Sequence, residues 1–103
     1  MLFGLVITHQ RFAAHAVGLL EAAVARGWDT RCFLTDSGVL LLGHAGFMAH
    51  ARTRPNSVAS CKHSIDHLAG DLLDLPSLAG VVVVGGQFQG AKLAQSADAV
   101  LVL

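Results

Sequence analysis

The hydrophobic pattern of the chain alternates between short continuous apolar runs and longer stretches in which apolar residues recur at helical spacing. Continuous runs of this length favour strands that are covered on both faces, as in a parallel sheet. Five such strands are predicted, and they are Leu2–Thr8, Asp29–Thr35, Ser57–Ser60, Val81–Val84 and Ala99–Leu103.

Helices are predicted between these strands. Apolar residues keep a helical period over Phe12–Val24, and Gly27 then provides a stop. A second helix is predicted from Val39 to about Arg52, and its first turn, Val39–Leu42, is apolar on every side. A chain this short offers little apolar surface to cover such a turn. We therefore expect Val39–Leu42 to lie at an interface between copies of the protein.

Three more helical segments follow. Ile65 and Leu68 come four and seven residues after Cys61, which predicts a helix whose buried face includes the cysteine. Asp71–Leu78 predicts a short helical turn, and Phe88–Ala97 predicts a helix rich in small residues.

Strands and helices therefore alternate along the whole chain. This order predicts an α/β fold with a single domain, residues 1–103, built as a three-layer sandwich around a mostly parallel five-stranded sheet. Parallel strands bring their carboxyl ends to one edge of the sheet, where proteins of this class hold ligands and reactive groups. The loops expected at that edge are Thr8–Gln10, Asp36–Gly38, Ser60–Cys61 and Gly85–Gln87.

Cys61 is the residue at this edge with the clearest chemistry. It lies where the third strand ends and a helix begins, and unpaired amide hydrogens at such a junction favour negative charge. The thiol is therefore predicted to ionise more readily than a free one, with Lys62 and His63 adding to the effect. A buried, inert cysteine is the alternative on position alone. The expected place of Cys61 among polar loops favours the reactive interpretation.

Two other residues are candidates to assist Cys61. His9 follows the first strand and is expected at the same edge, where it could exchange a proton with the thiol; the alternative is a loop histidine that faces solvent. Lys62 could hold the charge or steer an anionic partner, but a solvated side chain is the preferred explanation. Cys32 lies inside an apolar strand and is predicted to be a core residue rather than a second redox centre.

The remaining motifs indicate no metal and no cofactor. His63 and His67 have the spacing of helical zinc ligands, but His63 points away from Cys61 on a helix and no third ligand has a recognisable spacing. Gly85–Gly90 opens a helix after a strand, yet it matches neither the dinucleotide fingerprint nor a P-loop. Glycines needed for a tight turn explain it better.

Composition narrows the partners and the location. Hydrophobic residues make up 53% of the chain and charged residues 14%, and the net charge is zero. Without a basic cluster, nucleic acid is not expected as a partner, whereas little charge repulsion opposes self-association. No apolar run approaches a membrane span, no signal peptide is recognisable and two cysteines make no disulfide framework. We therefore expect no membrane partner and a cytoplasmic location.

Three features follow one another along the chain in a specific order. They are the turn Asp36-Ser37-Gly38-Val39 after the second strand, Cys61 at the end of the third, and the ending Gly85–Leu93 followed by Ser96–Leu103. This arrangement resembles the DsrE/DsrF-like family of small sulfur-relay proteins, and the resemblance extends over essentially the whole chain.

The resemblance implies a small α/β protein that forms homo-oligomers, trimers or hexamers. It also implies that the cysteine matched by Cys61 holds sulfur as a persulfide, between a donor protein and an acceptor protein. The expected function is thus a small sulfur carrier or sulfurtransferase. Some members of the family lack the cysteine, so a non-catalytic oligomeric subunit stays open. A binding module for a small anionic ligand at the strand-end loops stays open as well.

Overall fold

Five strands alternate with helices in the structure, a computed structural model that describes residues 1–103. The strands are β1 (Leu2–Ile7), β2 (Asp29–Leu34), β3 (Val58–Cys61), β4 (Val82–Gly85) and β5 (Ala99–Val102). The α-helices are α1 (Ala13–Ala25), α2 (Ala45–Thr53), α3 (Lys62–Leu68), α4 (Leu75–Leu78) and α5 (Gln87–Ser96). Two 3-10 helices, Gln10–Phe12 and Asp36–Gly43, precede α1 and α2.

The five strands form one sheet in the order β4-β3-β2-β1-β5, and every neighbouring pair is parallel. The predicted α/β class and five-stranded sheet are therefore confirmed, and the sheet is entirely rather than mostly parallel. Its carboxyl edge brings the ends of β2, β3 and β4 side by side, with Leu34 paired to Ser60 and Cys61 paired to Gly85.

The two faces of the sheet are covered unequally. On one face, inward side chains of β1, β2 and β3 pack with α1, α2, α3 and the second 3-10 helix in the main core, which includes Leu5, Leu20, Leu34, Phe47 and Ile65. On the other face α5 packs on the sheet, and a smaller cluster forms from Phe33, Cys61 and Leu93. The layers are therefore helices, sheet and a single helix, as expected for a three-layer sandwich.

Gly90 allows α5 to lie close to the sheet. A Cβ atom at Gly90 would come within 3.0 Å of two ring atoms of Phe33. A larger residue would therefore push the start of α5 away from the carboxyl edge of the sheet, where Gln87 meets Cys61.

The predicted helix from Val39 to about Arg52 is wrong in its first half. Asp36–Gly43 is a 3-10 helix, and α2 begins only at Ala45, after His44 has taken an extended backbone conformation. The His44 ring caps α2, since its Nδ1 accepts a hydrogen bond of 3.1 Å from the backbone N–H of Phe47.

The expected interface at Val39–Leu42 is also wrong. Val39, Leu41 and Leu42 are buried in the main core of the chain itself, and Leu40 is half-buried against it. The sheet and α3 supply the apolar surface that covers this turn, because α3 packs directly on the 3-10 helix.

Smaller differences concern the ends of elements. Leu68 was expected on the buried face of α3, but it is exposed, because the helix ends there and Ala69 takes the inward position. The turn Asp36–Gly38 belongs to the 3-10 helix and Thr35 is its N-cap, with no side chain capping it. No helix combines the length and apolar character needed to cross a membrane.

Candidate functional site

Cys61 lies at the junction that the sequence predicts. It is the last residue of β3 and the N-cap of α3, with an extended backbone at φ −70° and ψ 116°. This conformation lets the first backbone N–H groups of α3 point toward the end of the strand. The thiol thus lies at the carboxyl edge of the sheet, between β2 and β4.

One side-chain hydrogen bond reaches the sulfur, and further donors act on the pKa of the thiol. The Gln87 side chain approaches from α5, with 3.8 Å between its Nε2 and the Sγ of Cys61. The backbone N–H groups of His63 and Ser64 and the hydroxyls of Ser64 and Thr35 also act on the thiol. Each of these groups stabilises the thiolate more than the thiol, because the anion is the stronger acceptor.

The pKa of the Cys61 thiol reflects two opposing influences. Burial is the largest single one and raises the pKa, since it withdraws the anion from water. The hydrogen bonds of Ser64, His63 and Thr35 act together in the other direction, and the net pKa is lowered from its ordinary value. The thiolate is therefore favoured here by hydrogen bonding, as expected for a reactive cysteine.

Cys61 is only 4% exposed, so access to it depends on its cover. Its apolar neighbours are Phe33 on β2 and Leu93 on α5. The Gln87 side chain, at an exposed position, contacts the sulfur. The thiol therefore has apolar packing on one side and polar groups on the other. Gln87 is the exposed part of this cover.

Cys32 has the opposite environment. It is buried in the main core in the middle of β2, and burial raises the pKa of its thiol to about 12. Cys32 is thus neutral at physiological pH and enclosed, as the sequence predicts for a core cysteine. The two thiols form no disulfide, and the chain carries one thiol at its edge and one in its interior.

His9 follows β1 at the same edge but lies apart from Cys61. Strand β2 separates β1 from β3, which places the two strand ends about 10 Å apart. The His9 ring caps the first 3-10 helix instead, with its Nδ1 accepting a hydrogen bond of 3.0 Å from the backbone N–H of Arg11. The structure therefore does not bring His9 to the thiol.

Lys62 follows Cys61 directly, but its side chain turns along α3. Its Nζ lies 2.6 Å from a carboxylate oxygen of Asp66, one turn later, in a solvent-exposed salt bridge. The ammonium is thus paired with Asp66 and contributes at most a remote charge to the thiol. The rings of His63 and His67 stack on the exposed face of α3, with 5.8 Å between their centroids. No three His, Cys, Asp or Glu side chains lie close enough together to hold a metal ion.

The residues that act on the thiol are mostly ones that the sequence does not single out. Gln87 belongs to a loop expected at this edge, and the structure places it there. Thr35 and Ser64 reach Cys61 because β2 neighbours β3 and because Ser64 lies on the first turn of α3. The only sequence signal for Ser64 is its position three residues after Cys61, which brings it back over the start of the helix.

No protein-family model matches this chain, and no curated protein matches it.

Proposed function

We propose that the protein is a small sulfur carrier of the DsrE/DsrF-like kind, in which Cys61 accepts a sulfane sulfur and passes it on as a persulfide. The observation that carries the proposal is the contrast between the two cysteines. Hydrogen bonds lower the pKa of Cys61 at the carboxyl edge of the sheet, whereas burial raises that of Cys32 to about 12. Only Cys61 combines a favoured thiolate with a place at the carboxyl edge of the sheet.

The proposed transfer consists of two displacements at sulfur. The Cys61 thiolate attacks the outer sulfur of a donor persulfide; a new S–S bond forms, the donor S–S bond breaks, and its electron pair leaves on the donor thiolate. An acceptor thiolate then attacks the outer sulfur of the Cys61 persulfide, and Cys61 departs as a thiolate. In each step the outer sulfur passes from one thiolate to another with no net oxidation or reduction, so no further reactant is needed.

The donors around Cys61 support both displacements. In the first step they hold the attacking thiolate in its ionised form, and in the second they stabilise the same thiolate as a leaving group. Thr35 supplies a hydroxyl from the end of β2, and the first turn of α3 supplies the Ser64 hydroxyl and backbone N–H groups. A persulfide needs space above the sulfur, which the exposed Gln87 side chain can vacate.

Sulfur loading tests this proposal. The purified protein is exposed to glutathione persulfide, and the intact mass is measured before and after a reducing step. We expect one added sulfur atom in the wild type and in Cys32→Ala, none in Cys61→Ser, and loss of the added mass on reduction. An unloaded wild type, or loading that survives in Cys61→Ser, would contradict the proposal.

A second part of the proposal concerns self-association. Strand β5, and not the buried turn Val39–Leu42, offers a surface for it. Strand β5 is an edge of the sheet, and its Val100, Leu101 and Val102 are all exposed. An exposed apolar edge strand favours pairing with another chain. We propose that copies of the protein associate there, as a non-catalytic subunit of this fold would also do.

The mass of the protein in solution tests the assembly. Sedimentation at micromolar concentration should give a homo-oligomer for the wild type. The control variant Ala14→Glu, which adds one negative charge on the exposed side of α1, should also give a homo-oligomer. Val102→Glu should give a folded monomer. A monomeric wild type would contradict self-association without affecting the role of Cys61.

A further inference from the structure

We propose that the protein has a second site, a cleft beside α5 that binds a small organic phosphate. The cleft has a volume of about 390 Å³ and lies between α5 and the sheet. It begins at the amino ends of β1 and β2 and does not include Cys61. Its size falls in the range of small-molecule sites, and it is separate from the sulfur-carrying edge proposed above.

The polar lining of this cleft is cationic. Arg31 projects from β2 and Lys92 from α5, and no carboxylate lines the cleft with them. Both cations are free of salt bridges, since the one salt bridge of the structure joins Lys62 to Asp66. Lys92 also lies over the exposed Phe88 ring, with 6.0 Å between its Nζ and the ring centroid. Two unpaired cations facing one cleft favour an anionic ligand.

Ser57 provides an independent indication of a ligand. It lines the cleft and is 95% buried, since only 5% of it is exposed, yet its hydroxyl oxygen has no hydrogen-bond partner in the protein. A buried polar group without a partner carries a desolvation cost that a bound acceptor can remove. The same serine and Arg31 also line an adjoining cleft, where Arg54 adds a third cation.

Carboxylates lie near this end of the molecule but outside the cleft. Asp29 lines the adjoining cleft, and Asp98 accepts a hydrogen bond of 2.6 Å from the backbone N–H of Leu2. Asp98 is thereby held on β1, and the three cations outnumber the two carboxylates. Of these charged groups, only Arg31 and Lys92 line the cleft itself.

The lining favours phosphate over other anions. A guanidinium binds two oxygens of a phosphate side by side. A second cation balances the second negative charge of the dianion, and hydroxyl and amide donors can bind its third terminal oxygen. The neutral polar groups available are Asn56, Ser57, Gln89 and Ser96. Ala59 and Val83 form an apolar part of the lining on the sheet, which suits the organic part of a phosphate ester.

Calorimetric titration with phenyl phosphate, supported by amide chemical shifts, tests this site. Inorganic phosphate, benzoate and phenol serve as comparison ligands that vary the anion and the ring separately. We expect saturable binding of phenyl phosphate at one site, weaker binding of phosphate and of benzoate, and none of phenol. Shifted amide signals should concentrate at Arg31, Ser57 and Lys92.

Variants separate this site from a general attraction of anions. Arg31→Gln and Lys92→Gln should each weaken binding roughly tenfold, the effect of losing one charge-assisted hydrogen bond. Arg52→Gln, which removes an exposed cation from α2, should leave binding unchanged. Ser57→Ala should weaken binding and yet stabilise the free protein, because it removes the unpartnered hydroxyl.

Binding to Cys61→Ser should equal that of the wild type, so loss of the sulfur-carrying role would leave the phosphate site intact. The proposal would be overturned by absence of saturable binding, or by equal effects of Arg31→Gln and Arg52→Gln. Benzoate binding as tightly as phenyl phosphate would overturn the assignment to phosphates.

Discussion

The hydroxyl oxygen of Ser64 accepts a hydrogen bond of 3.0 Å from the backbone N–H of Asp36. This bond links the first turn of α3 to the start of the second 3-10 helix. Because the oxygen accepts from Asp36, the hydroxyl hydrogen is free to donate to Cys61, whose pKa it helps to lower. Asp36 has a left-handed backbone, with φ at 49°.

Ser64→Ala should raise the pKa of Cys61 and destabilise the protein together. The substitution removes a donor to the thiolate and leaves the N–H of Asp36 without its acceptor, at a cost of about 0.5–1.5 kcal/mol in the free energy of unfolding. Alkylation rates against pH and urea unfolding measure the two effects. Ser37→Ala, which removes the acceptor of the Gln10 N–H, is the control and should leave the thiol unchanged. An unaltered alkylation profile in Ser64→Ala would contradict the assigned role.

Gln87→Ala should make Cys61 react faster once the thiol is fully ionised. Gln87 lies over the sulfur, and an alanine uncovers it without opening the core. The limiting rate constant of alkylation at high pH isolates this steric effect from the pKa. Gln95→Ala, on an exposed position of the same helix, should behave like the wild type. A slower or equal limiting rate in Gln87→Ala would show that access to the sulfur follows another route.

Gly38→Ala should strongly destabilise the fold. A Cβ atom at Gly38 would overlap the carbonyl oxygen of Ile7 and lie 2.7 Å from its carbonyl carbon, so the end of β1 would have to move. We expect a loss of about 3 kcal/mol in the free energy of unfolding. Gly18→Ala is the matched control, because open space surrounds Gly18 on α1, and it should gain about 0.5–1 kcal/mol. Denaturant unfolding measures the free energy of unfolding of both variants. Equal values for Gly38→Ala and Gly18→Ala would contradict the prediction.

Stability should fall as the pH drops below about 6.5, and His50 should account for part of the fall. Burial and the nearby Arg54 lower the pKa of His50, while the charge of Glu21 acts in the opposite direction. The Nε2 of His50 lies 3.1 Å from the Thr30 hydroxyl oxygen. The unfolded chain thus binds a proton at a higher pH than the folded one. The contribution of His50 to the free energy of unfolding is fully present at a pH above the pKa that His50 has in the unfolded chain. It is lost as the pH falls from that value toward the lower pKa of His50 in the folded protein.

Urea unfolding across that pH range, compared between the wild type and His50→Gln, tests the sign. The variant should show a weaker dependence on pH. His15→Gln, an exposed histidine on α1, is the control and should keep the wild-type dependence. A wild-type stability that rises on acidification over this range would contradict the assignment.

The sequence predicts the strands and the place of Cys61 because short apolar runs and their polar ends are local signals. It does not predict strand order, which decides that Thr35 rather than His9 lies beside the thiol. Nor does local periodicity distinguish the 3-10 helix at Val39–Leu42 from an α-helix. That distinction depends on the sheet and α3, which bury this turn inside the chain.

The rate of alkylation of each cysteine as a function of pH tests the central claim most directly, with mass spectrometry locating the modified residue. The account predicts that Cys61 in the native protein is modified at neutral pH faster than a free cysteine peptide, while Cys32 stays unmodified until the protein unfolds. Modification of Cys61 no faster than the peptide, or of Cys32 first, would contradict it.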